Sequence, residues 1–366
     1  MRQRPSHDLS LVIITISLMG IGIVIVYSAS AILAAERFGD AYYFLKKQAL
    51  FCAFALAMMV VMMNTPYAML RRLAYPMLAG SLLFLILLLI PGIGYRVAGS
   101  TRWIRFGNLS FQPSEFTKLA LIIFLAYFVE KKGDRMRTFS QGFLPVLIIS
   151  GTMISLVMLQ PDFGVALFLA TMVFMLLFIG GARITYLGLA IMAAIPIVYL
   201  LIMNVDYRYN RIIGFLNPWE DPGRTSFQMV QSLLAFGSGG LFGTGLGGGS
   251  QKLFFLPAPH TDFIFSVIGE ELGMVGATIT LGLFALFTIR GIRIALAAEE
   301  PFGTLLGTGI TTMISMQAII NMGVVLGLLP TKGLTLPFIS YGGTSLLVNA
   351  MGVGILLNIS SKARMA

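Results

Sequence analysis

The 366-residue chain is 57% hydrophobic and only 11% charged, with a mean hydropathy of +0.89. A soluble domain carries about a quarter charged residues, so the composition excludes an ordinary soluble enzyme and predicts an all-α polytopic membrane protein. The net charge of +10 fits loops that face anionic lipid; no basic-aromatic module or nucleic-acid motif accompanies it, and no nucleic-acid partner is expected. The single cysteine, Cys52, lies in an apolar run and can form no internal disulfide.

The basic N-terminus "MRQRPSHD" precedes an apolar stretch with no small-residue cleavage site, which reads as a first membrane helix rather than a cleaved signal. About ten transmembrane helices are predicted, over roughly 9–31, 47–63, 74–91, 114–130, 143–160, 163–182, 186–203, 263–289, 303–328 and 342–360. An even number places both termini on one side. Lys and Arg are about twice as dense in the loops of that side, among them Arg71, Arg72, Lys131, Lys132, Arg135, Arg137 and Arg183, so both termini are expected to be cytoplasmic. The chain reads as a single integral membrane domain over 1–366. Three loops then face outward: about 92–113, a large extracytoplasmic loop of about 204–262 between helices 7 and 8, and "LLPTKGLTLPFISYGG" before the last helix. In the large loop Phe227, Val230, Leu233 and Leu234 share a helical face, which predicts a helix over 226–236 lying flat on the membrane surface.

Few residues in such a chain carry chemistry. Glu115 and Lys118, three apart in "PSEFTKLALIIF", share a helical face. They read either as an interfacial ion pair or as the wall of a polar cavity reached from outside. Arg102 and Arg105 in "STRWIRFG" lie on the same outer side, and with Lys118 they could hold a pyrophosphate. Asp162 in "LQPDFG" fits a helix N-cap better than a catalytic role. "GTGLGG", Gly243 to Gly248, matches a dinucleotide fingerprint literally but lacks the flanking strand and helix that motif needs; it reads as a tightly turning segment, or one whose backbone approaches a ligand. In "LPAPHTDFIFSVIGEELGMVG", Asp262 stands at the predicted start of helix 8, either as an N-cap or as an ionisable group at the mouth of what the loops enclose. Of Glu270 and Glu271 at least one must face the bundle interior. With two histidines, no Cys cluster and no H-E-x-x-H, a His-based metal site is not expected.

"RWIRFGNLSFQPSEFTKLAL", "LQPDFG", "NPWEDP", "QKLFFLPAPHTDFIFSVIGEELG" and "GLLPTKGLTLPFISYGGTS" together resemble the SEDS family (shape, elongation, division and sporulation proteins), and its division branch more than its elongation branch. The resemblance is collinear from about residue 27 to about residue 360. It implies an inverting peptidoglycan glycosyltransferase of the bacterial cytoplasmic membrane. Such an enzyme polymerises lipid II, an undecaprenyl-pyrophosphate-linked disaccharide-peptide, at the outer face with a class B penicillin-binding protein transpeptidase and other division proteins. Asp262 matches the family's essential loop aspartate and is the implied general base. Arg102, Arg105 and Lys118 are the implied pyrophosphate-binding cations; Arg208, Arg211 and Lys252 are weaker candidates, and Glu115 and His260 are placed with the binding residues. Where the family often has Glu-Ala before His-Thr-Asp this chain has Ala258-Pro259, which removes a second acid from beside Asp262. No cofactor is demanded; a divalent cation, Mg or Mn, bridging the pyrophosphate is compatible with the chemistry, without a dedicated ligand cluster. Two rivals are a lipid II flippase, which would make no polymer, and a non-enzymatic division scaffold, in which Asp262 would be dispensable.

The charge asymmetry makes a direct prediction. A membrane-impermeant thiol reagent added from outside should modify Ser250→Cys and spare Asp134→Cys; the reverse pattern would invert the topology and move the candidate site to the other face.

Overall fold

The computed structural model describes residues 7–97, 100–107, 109–220, 222–223, 226–249 and 259–362. Among them twelve α-helices form the bundle: α1 Leu9–Phe38, α2 Tyr43–Asn64, α3 Tyr67–Leu87, α4 Pro113–Lys132, α5 Leu144–Leu159, α6 Phe163–Ile179, α7 Ile184–Met203, α8 Asp206–Leu216, α9 Phe227–Gly239, α10 Ile264–Leu296, α11 Pro301–Val325 and α12 Gly343–Lys362. Eight helices are long and apolar enough to cross a membrane. α4 and α6 stand where the other two of the ten spans were expected but fall short of that measure: α4 is 20 residues long and carries five charged residues, and α6 is 17 residues long. The protein is a multi-pass membrane protein.

Local signals set the helix ends. Asp8 caps α1 by accepting the Leu11 N–H at 2.9 Å, and Gly39 closes that helix at φ 71. Pro113 and Pro301 occupy the first turns of α4 and α11, where a missing N–H costs nothing. α3 begins seven residues before its expected start because Tyr67 N–H is held by the Asn358 side chain at 2.9 Å, and Pro76 is accommodated inside it.

α4, α11 and α12 form the centre; 83% of the apolar window of α12 is buried, against 6% for α7, which leans away with its apolar side chains outward. His7 and Asp8 contact the far ends of α12 and α10, through Leu357 O at 3.1 Å and Arg290 at 3.8 Å, so the start of α1 and the end of α12 lie at one end of the bundle, where Lys362 of α12 stands over Tyr67 at the start of α3 and Arg71 pairs with Glu130 and Glu300. The long loops lie at the other, hereafter the site end.

Three features of the site end differ from the expected loops. Residues 94–111 form an antiparallel sheet, β1 Gly94–Val97, β2 Ser100–Phe106 and β3 Leu109–Phe111, with Tyr95 opposite Trp103 and Arg105 opposite Ser110. The expected surface helix is present as α9, but it packs lengthwise against α10 and α11 instead of lying flat: Met229, Val230 and Ala235 are buried and Ser232 donates to Val325 O at 2.7 Å. The glycine-rich turn after it enters α10. At Gly273, φ 66 and ψ −164 break the helix. The N–H groups of Met274 and Val275 turn to the carbonyls of Gly240 and Leu241, and the carbonyls of Glu270 and Glu271 accept from Thr244 and Gly245, all at 3.0–3.2 Å. The loop replaces two helical bonds with four of its own, so the N–H and C=O groups freed by the break are bonded within the span. Both glutamates are buried, Glu271 accepting from Ser28 of α1 at 2.7 Å.

Gly273 sits in a region of backbone space open essentially to glycine alone, and a Cβ there would collide with Gly243 N and the Leu241 carbonyl. Gly273→Ala should therefore lose more than about 1–3 kcal/mol, read as a lowered thermal unfolding midpoint in detergent. An unchanged midpoint would show that the break is not a constraint.

Candidate active site

At the site end a cavity of about 140 Å³ opens between the start of α6, the end of α7, α8 and the 326–342 loop. Four cations line it, Arg102, Arg208, Arg211 and Lys332, against one carboxylate, Asp162. Leu167, Val198, Ile202 and Ile212 give it an apolar flank towards the seam between α6 and α7. A second cavity of about 150 Å³ shares Gly164, Leu167, Pro330 and Lys332 and runs towards Phe168 and Ile320.

Each cation is held by its own element. Arg102 on β2 lies 3.1 Å from the Asp162 carboxylate through Nε, a charge contact without well-directed hydrogen-bond geometry. Arg211 on α8 donates to Thr331 O at 2.9 Å, tying α8 to the loop that carries Lys332. Arg208, one turn earlier, donates to Leu201 O at 2.8 Å and stands over the Phe163 ring at 5.2 Å. Burial pushes the Lys332 ammonium below its usual range. Asp162 is the N-cap of α6, accepting from Val165 N–H at 3.3 Å, as its place after proline suggests; its ion pair with Arg102 adds a second role. Burial raises its carboxyl above the usual range against the pull of Arg102.

Asp262 is half-buried at the cavity's edge, behind Gly333: a Cβ on Gly333 would lie 2.9 Å from Oδ2. It does not cap α10, whose N-cap is Phe263 with no side-chain cap bond. Burial pushes its carboxyl up to about 6, opposed by Arg102 and Arg211 and helped by Asp162. Its backbone is fixed by the loop before α12 and by α11. Tyr341 N–H donates to His260 O at 2.9 Å, Ser340 Oγ to Thr261 O at 2.6 Å, and Asn321 Nδ2 to Asp262 O at 2.8 Å.

Other expected site residues lie elsewhere. Arg105 is an odd number of residues from Arg102 on the same strand, so it projects from the opposite face; it is exposed and stacks on Tyr95 at 3.7 Å. The His260 ring sits between Phe44 at 4.7 Å and Tyr341 at 5.8 Å, with its pKa lowered to about 4 by burial, hence neutral and away from the cavity lining. Lys252 lies outside the described residues. Glu115 and Lys118 form the ion pair, at 2.7 Å, but not a wall open to the outside: Lys118 is 0% exposed and neither lines a described cavity. The reason is packing. Lys118 also donates to Gln317 Oε1 of α11 at 2.7 Å, and Gln317 Nε2 donates to Thr335 O at 2.9 Å, so the pair is enclosed by its own polar partners.

Sequence reading passed over Lys332, Gly333, Asn321 and Ser340. Lys332, Gly333 and Ser340 stand in the quoted "LLPTKGLTLPFISYGG", but only the fold of that loop brings them to the Asp262 segment. Asn321 lies in an apolar helix, where a buried amide was the one available signal.

Fold and site define a multi-pass helical membrane protein with a half-buried acid beside a cation-rich, apolar-flanked cavity at one end. Residues 9–365 match the model of the FtsW/RodA/SpoVE family of cell cycle proteins, and the chain belongs to that family. A probable peptidoglycan glycosyltransferase FtsW of Geobacter sulfurreducens is 49% identical over 98% of this chain and 96% of its own length. The stage V sporulation protein E of Bacillus subtilis is 44% identical over 99% of each chain. Among solved structures, the rod shape determining protein RodA of Thermus thermophilus is similar with a TM-score of 0.73 at 28% identity, covering 99% of both chains. A chain of a peptidoglycan synthase complex, described as coordinating polymerization and crosslinking, gives 0.79 at 31% identity over 97% of this chain and 98% of that one.

Enclosure of the Glu115–Lys118 pair predicts a stability effect. Lys118→Met strands a buried carboxylate and should cost about 3–5 kcal/mol, whereas Glu115→Gln/Lys118→Met should recover most of it. Equal unfolding midpoints for the single and double variants would remove the pairing argument.

Proposed function

We infer that this chain is a peptidoglycan glycosyltransferase that polymerises lipid II at the outer face of the cytoplasmic membrane. Both termini are then cytoplasmic, and a class B penicillin-binding protein transpeptidase and other division proteins work beside it. The observation that carries the reading is Asp262, a half-buried carboxyl pushed up to about 6, adjoining a cavity lined by four cations and an apolar flank. The relatives named FtsW support the chemistry and the division role, and the similarity to a chain of a synthase complex supports the transpeptidase partner.

The geometry suits such a reaction. Arg102, Arg208, Arg211 and Lys332 would hold the donor's pyrophosphate and stabilise the charge that grows on it as the glycosidic C–O bond breaks. The seam between α6 and α7 would take the first part of the lipid. Asp262 would accept the proton of the acceptor sugar hydroxyl as its oxygen attacks the anomeric carbon from the opposite face, which inverts that centre in one displacement. Among the described residues no group of three or more His, Cys, Asp or Glu is placed to hold a metal ion; Mg or Mn, where involved, would draw mainly on pyrophosphate oxygens. A flippase path would use the buried polar residues of α4, but Lys118 and its partners are closed off by packing, so we prefer the transferase.

Asp262→Asn should lower polymerisation by reconstituted protein about 10²–10⁴-fold with little change in unfolding midpoint, because the side chain caps no helix. A base must be ionised to act, so the wild-type rate should fall as pH drops through about 6. Polymerisation by Asp262→Asn at near-normal rates would end the general-base assignment.

A further inference from the structure

We propose that Asn321, in α11, is a positioning residue that sets the placement of Asp262 relative to Lys332. The inference rests on Asp262 being the base. Asn321 is 2% exposed, and its one amide nitrogen donates to two carbonyls that belong to different loops: Asp262 O at 2.8 Å and Leu334 O at 2.6 Å. The first carbonyl belongs to the acid itself. The second lies two residues beyond Lys332, and Leu334 N–H donates to Lys332 O at 3.1 Å. A single side chain on a rigid, buried helix therefore pins both the acid and the turn carrying a cavity cation.

The strap, residues 260–262, makes its other bonds here to the loop before α12, beside the packing of the His260 ring on Phe44 of α2. Ser340 Oγ donates to Thr261 O and accepts from Leu336 N–H, and Tyr341 N–H donates to His260 O, so these bonds move with the loop if the loop moves. Asn321 ties the 260–262 backbone to the bundle core. Gly333 lies against the acid: with no Cβ, it lets the loop approach the Asp262 carboxylate, and any relative shift of strap and loop changes that approach. The acid is thus placed by a bond to its backbone, which leaves both carboxylate oxygens available for the reaction. The charged groups facing that carboxylate are Arg102 from β2, Arg211 from α8 and Asp162 from the α6 cap, and none of them is altered by changing Asn321.

Lipid II polymerisation by the full chain would be measured for wild type, Asp262→Asn, Asn321→Ala and Asn321→Ser, each normalised to folded protein and followed from about pH 5 to 8. Misplacing a reacting group by about 1 Å costs on the order of 10²-fold. Asn321→Ala should therefore lower kcat about 10–100-fold with KM for lipid II within about two-fold. Its acid limb should move to lower pH, because a loosened strap lets water reach the carboxylate. Asn321→Ser keeps one donor and should fall between Ala and wild type; it carries the test if the alanine variant does not fold. A lower folded yield with kcat and acid limb unchanged per folded molecule overturns the positioning role and leaves the base assignment standing. A raised KM with unchanged kcat also overturns it. Near-normal polymerisation by Asp262→Asn overturns the base assignment first and this inference with it.

Discussion

Every polar group carried into an apolar bundle must find a partner there, because lipid and packed side chains offer none. That constraint organises the site end of this protein. α10 is broken at Gly273, and the break survives because the turn after α9 supplies two carbonyls and two N–H groups at the level of the missing helical bonds. The same exchange fixes the half-helix Ile264–Leu272, at whose head Asp262 sits. A surface helix lying flat on the membrane could not deliver its following turn to that depth, which is why α9 descends along α10 and α11.

The constraint also explains the buried charges. Lys118 has Glu115 on its own helix and Gln317 on α11, and Gln317 passes the connection to Thr335, whose hydroxyl donates to Ser345 of α12 at 3.0 Å. This chain of bonds links α4, α11, α12 and the 326–342 loop. A buried ion pair is a weak source of net stability, but one tied to three other elements fixes their register. Lys118 therefore serves the site through architecture, while the cations that face the cavity come from surface elements, β2, α8 and the loop before α12.

Those cations meet one carboxylate in the lining and a second at its edge. Asp162 is neutralised in place by Arg102, whereas Asp262 has no such contact and its carboxyl rises to about 6 through burial. Burial raises both carboxyls, but only Asp162 is held by a cation, which leaves Asp262 as the acid that the proposed reaction would use. Aromatic packing of His260 between Phe44 and Tyr341 completes the support, holding the strap against α2 with a ring that stays neutral above about pH 4.

The sequence by itself determined the class of fold and most of the spans, because apolar runs of about 20 residues are a composition signal that needs no partner to be read. It also determined the Glu115–Lys118 pair and the Asp162 cap, since both depend on spacing within one helix or one turn. Asp262 was legible as an acid out of place; Phe263 at the cap position removes the cap reading, and the role of general base is the one proposed above. Only the tertiary structure decided which cations reach the cavity. Arg102 and Arg105 look alike in sequence, yet the alternation of a β-strand sends them to opposite faces, and reading residues 92–113 as a loop concealed that. Only the tertiary structure likewise brought Lys332, Gly333 and Asn321 to Asp262, across separations of about 60 to 70 residues, because contacts between distant segments are set by packing and hydrogen-bond satisfaction in three dimensions, which no local pattern encodes.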